Sequence, residues 1–265
     1  MDNLDKFYTK TEVAKKCIDL VPNIEQYTKI IEPSAGNGSF SNLLDCVAYD
    51  IKPEGPNIIE KDWFTVPKQE GKILVIGNPP FGKRSSLAKD FIKHSIKIGA
   101  ETIAFILPET FSKLSNQSKT IFPDNWSLIV EEELPKNSFL INGKEYHVPC
   151  RFYVWTKQKT DINLRKIKLP ETEDFTFLSR GDKNADFCIN GNNGKVKEIN
   201  EVTNPKAEHY IKAKNKTVEE LKEIFNNITY TFLSSVNGGN SWIGRQEILE
   251  AYYKFLGGEN TEEKK

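Results

Sequence analysis

The 265-residue chain is poor in the residues that bind metals. It has four cysteines and three histidines. Cys17, Cys46, Cys150 and Cys188 stand far apart, with no C-x-x-C pair and no histidine at ligand spacing, so the pattern speaks for free thiols and against a zinc site. His94 and His209 have no partner at metal or triad spacing and are assigned no chemistry. Long hydrophobic runs are missing too. The longest, such as ILVIG, fall far short of a bilayer span, and the opening MDNLDKFYTK carries acids and no apolar core. These absences predict an intracellular, cytoplasmic protein with no membrane partner. Net charge is absent as well, Lys+Arg and Asp+Glu both numbering 37, so a polyanion partner would need a local basic patch. No repeat of solenoid period and no low-complexity tract interrupts the chain.

Short apolar segments alternate with helical patterns. TKTEVAKKCIDLV puts Val13, Cys17, Leu20 and Val21 on one helical face, with Thr11 placed to cap it. KIIEP, CVAYDI, KILVIGNPP, TIAFILP, SLIVEEELP and CRFYVWTK follow as strands, several of them separated by helices such as SSLAKDFIKHSIKIG. The alternation predicts a parallel α/β sheet, and the last two strands, with the Asn-Gly turn of INGKEY between them, an antiparallel pair joined to it. The expectation is a mixed seven-stranded sheet over residues 1–157. From 158 to 258 the texture turns polar and rich in Asn and Gly, predicting a small C-terminal region, a place for target recognition. TVEELKEIFNN and GRQEILEAYYKFLGG read as helices within it, and 259–265 as a disordered tail.

Two stretches carry chemistry. In IIEPSAGNGSF a strand runs into a loop with Gly36 and Gly38 ahead of a helix-like SFSNLL, which allows close backbone approach and free N–H groups. The second strand ends in Asp50, where nucleotide-binding sheets set an acid against ribose hydroxyls. The loop is not G-x-G-x-x-G, because Ser34 and Ala35 occupy the region of the first glycine and Glu32 precedes it. An acidic strand end repels pyrophosphate and suits a cation, which favours S-adenosylmethionine over a dinucleotide. In KDWF, Asp62 stands where it can accept from an adenine amino group, with Trp63 or Phe64 to cover the ring.

The second stretch, NPPFGKRSS, follows a buried strand directly. Neither proline has an N–H, so the carbonyls of this stiff loop are left as acceptors. Asn78 adds a side-chain carbonyl and Phe81 a flat apolar face, a match for a planar group bearing an NH₂. Acceptors on both hydrogens would localise the lone pair of such a nitrogen for in-line attack on an activated methyl, with no covalent nucleophile on the protein.

Asn78-Pro79-Pro80-Phe81 resembles the catalytic motif of S-adenosylmethionine-dependent amino-methyltransferases, above all the N6-adenine family, and EPSAGNGSF resembles its cofactor loop. The resemblance covers residues 7 to 157 and implies a Rossmann-like class I fold. Phe7-Tyr8-Thr9 matches an element preceding the cofactor loop, giving the gamma-type motif order. It implies that Tyr8, Thr9, Glu32, Ala35, Gly36 and Gly38 surround the methionine part, Asp50 the ribose, and Asp62 and Trp63 the adenine of the cofactor. Orphan phage and bacterial DNA enzymes and the domain modifying cap-adjacent adenosine of messenger RNA are similar as well, with DNA the favoured partner. Lys83 and Arg84 are placed to meet phosphates, and Phe111 a base. FLINGKEYHVP reads as a hairpin beside the cleft, and KAEHYIKAKNK and SWIGRQE as basic-aromatic patches whose simpler role is a solvated face. A protein glutamine amide, RNA adenine, or a non-catalytic partner subunit remain readings of the same residues.

Overall fold

The apolar run at 73–77 is buried along its whole length, and its residues divide alternately between two cores. Ile73 and Val75 pack with Ile103, Phe105 and Trp155 on one face, whereas Leu74 and Ile76 pack with Ala104, Ile106 and Val154 on the other. That is the period of a strand covered on both sides, and it explains why the run has no polar residue. The structure, a computed structural model, describes residues 7–166, 168–230 and 242–257. The chain divides into two compact units, 1–166 and 167–265.

The first unit runs β1 (Tyr8–Thr9), α1 (Thr11–Asp19), β2 (Lys29–Glu32), β3 (Val47–Asp50), β4 (Ile58–Glu60), β5 (Ile73–Gly77), α2 (Ser86–Lys97), β6 (Thr102–Pro108), β7 (Ser127–Glu133), β8 (Phe139–Ile141), β9 (Lys144–Tyr146) and β10 (Cys150–Thr156). Seven strands form one sheet in the order β4-β3-β2-β5-β6-β10-β7. β2 to β6 pair in parallel, and β10 inserts antiparallel between β6 and β7, so the sheet is mixed and Rossmann-like as the sequence predicts. Val13, Ala14 and Cys17 of α1 cover one face; Ala88, Phe91 and Ile92 of α2 cover the other. The chain moves outward from β2 to β4 and then returns to place β5 beside β2. The loops after β2 and β5 therefore diverge at the carboxyl edge and open a crevice between them, where ligands bind in such sheets. β1, β8 and β9 form a separate three-stranded antiparallel sheet.

Three local expectations change. Thr11 is the first helical residue, and Lys10 occupies the cap position with no side-chain bond to the helix start. Residues 39–44 make tight turns in place of a helix: Asn42 N–H donates to Gly38 O at 3.0 Å, and the N–H groups of Leu43 and Leu44 both donate to Phe40 O. Residues 158–166 belong to the first unit, because Leu164 N–H donates to Leu128 O and the Arg165 guanidinium to the carbonyls of Gln117, Phe122 and Pro123.

The second unit holds β11 (Phe175–Phe177), β12 (Phe187–Asn190), β13 (Val196–Lys197), β14 (Glu208–Ala213), α3 (Val218–Asn227) and α4 (Arg245–Leu256), with sheet order β11-β14-β12-β13. Phe175, Phe187 and Ile211 meet Leu221 and Phe225 of α3 and Ile248 and Tyr252 of α4 in its core. Thr217 and Glu220 cap α3 reciprocally. The tail expected to be disordered lies outside the described residues.

Candidate active site

The loop after β2 is held by two carboxylates that spend themselves on backbone. Glu32 ends β2 with 1% exposure, and its carboxylate accepts from Ser41 N–H at 2.8 Å and Phe40 N–H at 3.4 Å. Burial pushes its carboxyl up to about 7, against the pull of those donors. Asp50 ends β3 and accepts from Gly36 N–H at 2.8 Å through one oxygen and from Lys52 N–H at 2.7 Å through the other. Gly36 takes φ +55°, and a Cβ there would stand 3.0 Å from the Tyr8 ring, so only glycine fits without strain. The Tyr8 hydroxyl in turn donates to Glu54 at 2.5 Å.

The loop after β5 is built the opposite way. Asn78 Nδ2 donates to the carbonyl of Phe7 at 3.1 Å and to Thr9 Oγ1 at 3.2 Å. Its Oδ1 is buried and, among the described residues, has no hydrogen-bond partner. Ser34 Oγ donates to the Asn78 main-chain oxygen at 3.3 Å, which ties this loop to the one after β2. Among the described residues no hydrogen bond uses the carbonyl of Pro79 or Pro80. Phe81 is half-buried and packs against both cores of the first unit.

Both loops line one cavity of about 300 Å³. Phe7, Tyr8 and Thr9 enter from β1 and its approach, Asp62, Trp63 and Phe64 from the segment after β4, and Leu87 and Phe91 from α2. Among the described residues, Glu32, Asp50, Glu54 and Asp62 give the wall four carboxylates against the ammonium of Lys52, a lining that favours a cationic ligand.

The structure thus brings together Tyr8, Thr9, Glu32, Ala35, Gly36, Asp50, Asp62, Trp63 and Asn78 to Phe81. Others fall elsewhere. Gly38 lies off the wall and shapes the loop, at φ +89° with its N–H on Ala35 O. Lys83 is exposed in a turn off the cavity wall, and the Arg84 side chain lies outside the described residues. Phe111, expected as a base contact, is 2% exposed and packs in the core near Tyr153, because the short turn after β6 sets its ring among the core residues of that face. Trp63 is likewise a core ring, stacked near Phe91, with 2% exposure. Its neighbour Phe64, at 41%, presents the exposed aromatic face on the cavity. Glu54, Ser39 and Leu87 line the cavity without having been singled out, since nothing in their local pattern marks them. His94 and His209 each bond a backbone carbonyl, of Val66 and Ile243. Among the described residues no group of His, Cys, Asp and Glu could hold a metal, and all four cysteines are free.

The model of the EDM2 methyltransferase-like domain matches residues 15–170, more than half of the chain. The protein belongs to this family. Among curated proteins, Protein ENHANCED DOWNY MILDEW 2 of Arabidopsis thaliana is 27% identical over 196 residues, covering 66% of this chain and 14% of that protein. The chain thus spans a small part of this relative's length. Two solved structures are similar at lower level: a candidate RNA methyltransferase of Pyrococcus horikoshii (16% identity, TM-score 0.47, 58% of this chain and 87% of that one) and the 23S rRNA methyltransferase ErmE (14%, 0.42, 57% and 70%). With both scores under 0.5, the strand order of the sheet, and not these likenesses, defines the fold of this EDM2-type domain.

Proposed function

We propose that this domain transfers a methyl group from S-adenosylmethionine to the N6 amino nitrogen of adenine in nucleic acid, with DNA the preferred substrate. The observation that carries the reading is the buried, unpartnered Oδ1 of Asn78 in the cavity wall. Such an orphan costs about 1–3 kcal/mol, which an incoming N–H donor would recover. With the free carbonyls of Pro79 and Pro80 it supplies acceptors for both hydrogens of an amine, and Phe81 supplies a flat face for the ring bearing it. Gripping both hydrogens draws the nitrogen lone pair out of conjugation and orients it, so the protein contributes position and fixed dipoles rather than a covalent bond.

The residues present fit the cofactor. The acidic lining matches its sulfonium and ammonium, and the left-handed Gly36 lets main chain approach it where a Cβ would collide with Tyr8. When bound, S-adenosylmethionine supplies an electrophilic methyl group. Tyr8, Glu32, Ala35 and Gly36 would hold its methionine part, Asp50 the ribose, and Asp62 with Phe64 the adenine. An adenine within a duplex must leave the base stack to reach this wall. Family membership supports methyl transfer as the reaction class.

The test incubates the protein with S-adenosylmethionine and matched single-stranded DNA, duplex DNA and RNA, followed by mass spectrometry of the nucleosides. N6-methyladenine that disappears in Asn78→Ala, while calorimetry shows cofactor binding retained, is the expected outcome. Cofactor binding with no methylated nucleoside would overturn the reading and direct attention to a protein amide or a partner subunit.

A further inference from the structure

The Asn78 amide has a fixed sense. A main-chain carbonyl can only accept, so the side-chain atom 3.1 Å from Phe7 O must be the nitrogen; the flipped amide would set two oxygens against each other. Thr9 Oγ1, at 3.2 Å, takes the second hydrogen. With both hydrogens spent on the N-terminal strand, Oδ1 is the atom left over. The strand is itself braced. Thr9 is 5% exposed, pairs with Phe139 of β8, and accepts from Ser39 Oγ through its carbonyl. The Phe7 ring stacks on Tyr146 of β9 at 5.4 Å and meets Phe139 edge-on. Lys10 N–H donates to Ser138 O and its ammonium pairs with Glu145.

We propose that Thr9 and the Phe7 carbonyl are positioning groups, held by the β8–β9 hairpin, that lock the Asn78 amide with its oxygen turned to the substrate amine. This strand thereby dictates that residue 78 be Asn and not Asp. The inference rests on the reading of Asn78 as the group that grips an amine, and it moves the Thr9 hydroxyl from the cofactor to the acceptor loop. Without the two acceptors, the broad twofold torsion of a terminal amide would let oxygen and nitrogen exchange places. Aspartate at this position would carry acceptors alone and face the Phe7 carbonyl with like charge.

The experiment compares Thr9→Val, Thr9→Ser and Asn78→Asp in the full chain, with two independent readouts. In steady-state methylation, Thr9→Val is expected to lower kcat about 3- to 10-fold, the loss of one hydrogen bond, with cofactor Kd unchanged and activity restored in Thr9→Ser. Asn78→Asp should lose on the order of 100-fold, since a buried charge then faces the Phe7 carbonyl with only the Thr9 hydroxyl placed to donate to it. Separately, the side-chain amide signal of Asn78 in nitrogen-15 spectra, assigned by its disappearance in Asn78→Ala, should exchange slowly with solvent in the parent and in Thr9→Ser. It should exchange fast in Thr9→Val. A weakened cofactor Kd at unchanged kcat would return Thr9 to the cofactor and overturn the proposal, as would slow exchange persisting in Thr9→Val. If the parent methylates no nucleic acid, the functional reading fails while the exchange measurement still decides this one. Should Thr9→Val fail to fold, Thr9→Ala is read in the same way.

Discussion

The loops after β2 and β5 lie side by side at one sheet edge, yet they handle their polar side chains in opposite ways. Glu32 and Asp50 place their carboxylates on the N–H groups of Phe40, Ser41, Gly36 and Lys52, so the first loop holds its own shape. Asn78 does the reverse: its donors are tied down and its acceptor is left bare. A cradle for a ligand bound and released as a whole needs a stable outline. A grip on a reacting nitrogen, the role proposed for Asn78, needs an unpaired acceptor, and one buried orphan stands there.

The contrast is open to test by substitution. The largest effect is expected for Asn78→Ala, with methyl transfer falling on the order of 10²- to 10³-fold at unchanged cofactor affinity, as when one preorganised polar contact is removed from a reacting centre. Asp50→Ala should do the opposite. Loss of two charge-assisted backbone contacts, about 1.5–3 kcal/mol each when intact, would loosen the Gly36 turn and weaken cofactor binding at least about tenfold in calorimetry. Glu32→Gln sharpens the picture through pH. The Glu32 carboxyl is raised from 4.5 to about 7, so between these values the unfolded chain releases its proton while the folded chain keeps it. Stability fully present below pH 4.5 is therefore lost as pH climbs toward 7, and a bound cation should favour the ionised form. Denaturant melts across this range should show that slope in the parent and not in Glu32→Gln, and cofactor affinity should rise from pH 6 to 8 only in the parent. The smallest effect belongs to Phe64→Ala, a half-exposed ring whose loss should change melting little and cofactor Kd a few-fold, whereas a core aromatic such as Trp63 would cost about 3–5 kcal/mol of stability.

Much of this was legible because the signals are local. The unbroken apolar run before Asn78 marks a strand covered on both faces, Asp50 marks the end of the next strand, and Asn-Gly marks the β8–β9 turn. These follow from side-chain periodicity and turn sterics, which need no tertiary context. What was not legible depends on partners distant in the chain. Trp63 and Phe64 are adjacent aromatics, and only the packing of α2 decides which is core. Phe111 meets Tyr153, far ahead in sequence, in the core. The turns at 39–44 read as a helix because the pull of Glu32 on the N–H groups of Phe40 and Ser41 is invisible in that stretch alone. The two residues of β1 are too few to show any period.

The pairing of Tyr8 with Leu140 carries a consequence for how the molecule is made. It joins almost opposite ends of the first unit, and the entropy of closing so long a segment delays such contacts relative to the nearer pairings of β5 with β6. Thr9 and the Phe7 carbonyl reach Asn78 only once that closure has occurred. Pulse-labelled hydrogen exchange during refolding should find the amides of β5 and β6 protected before those of β1 and β8. An intermediate that is native across the central sheet would therefore still carry an Asn78 amide free to turn, so competence arrives as a late folding event.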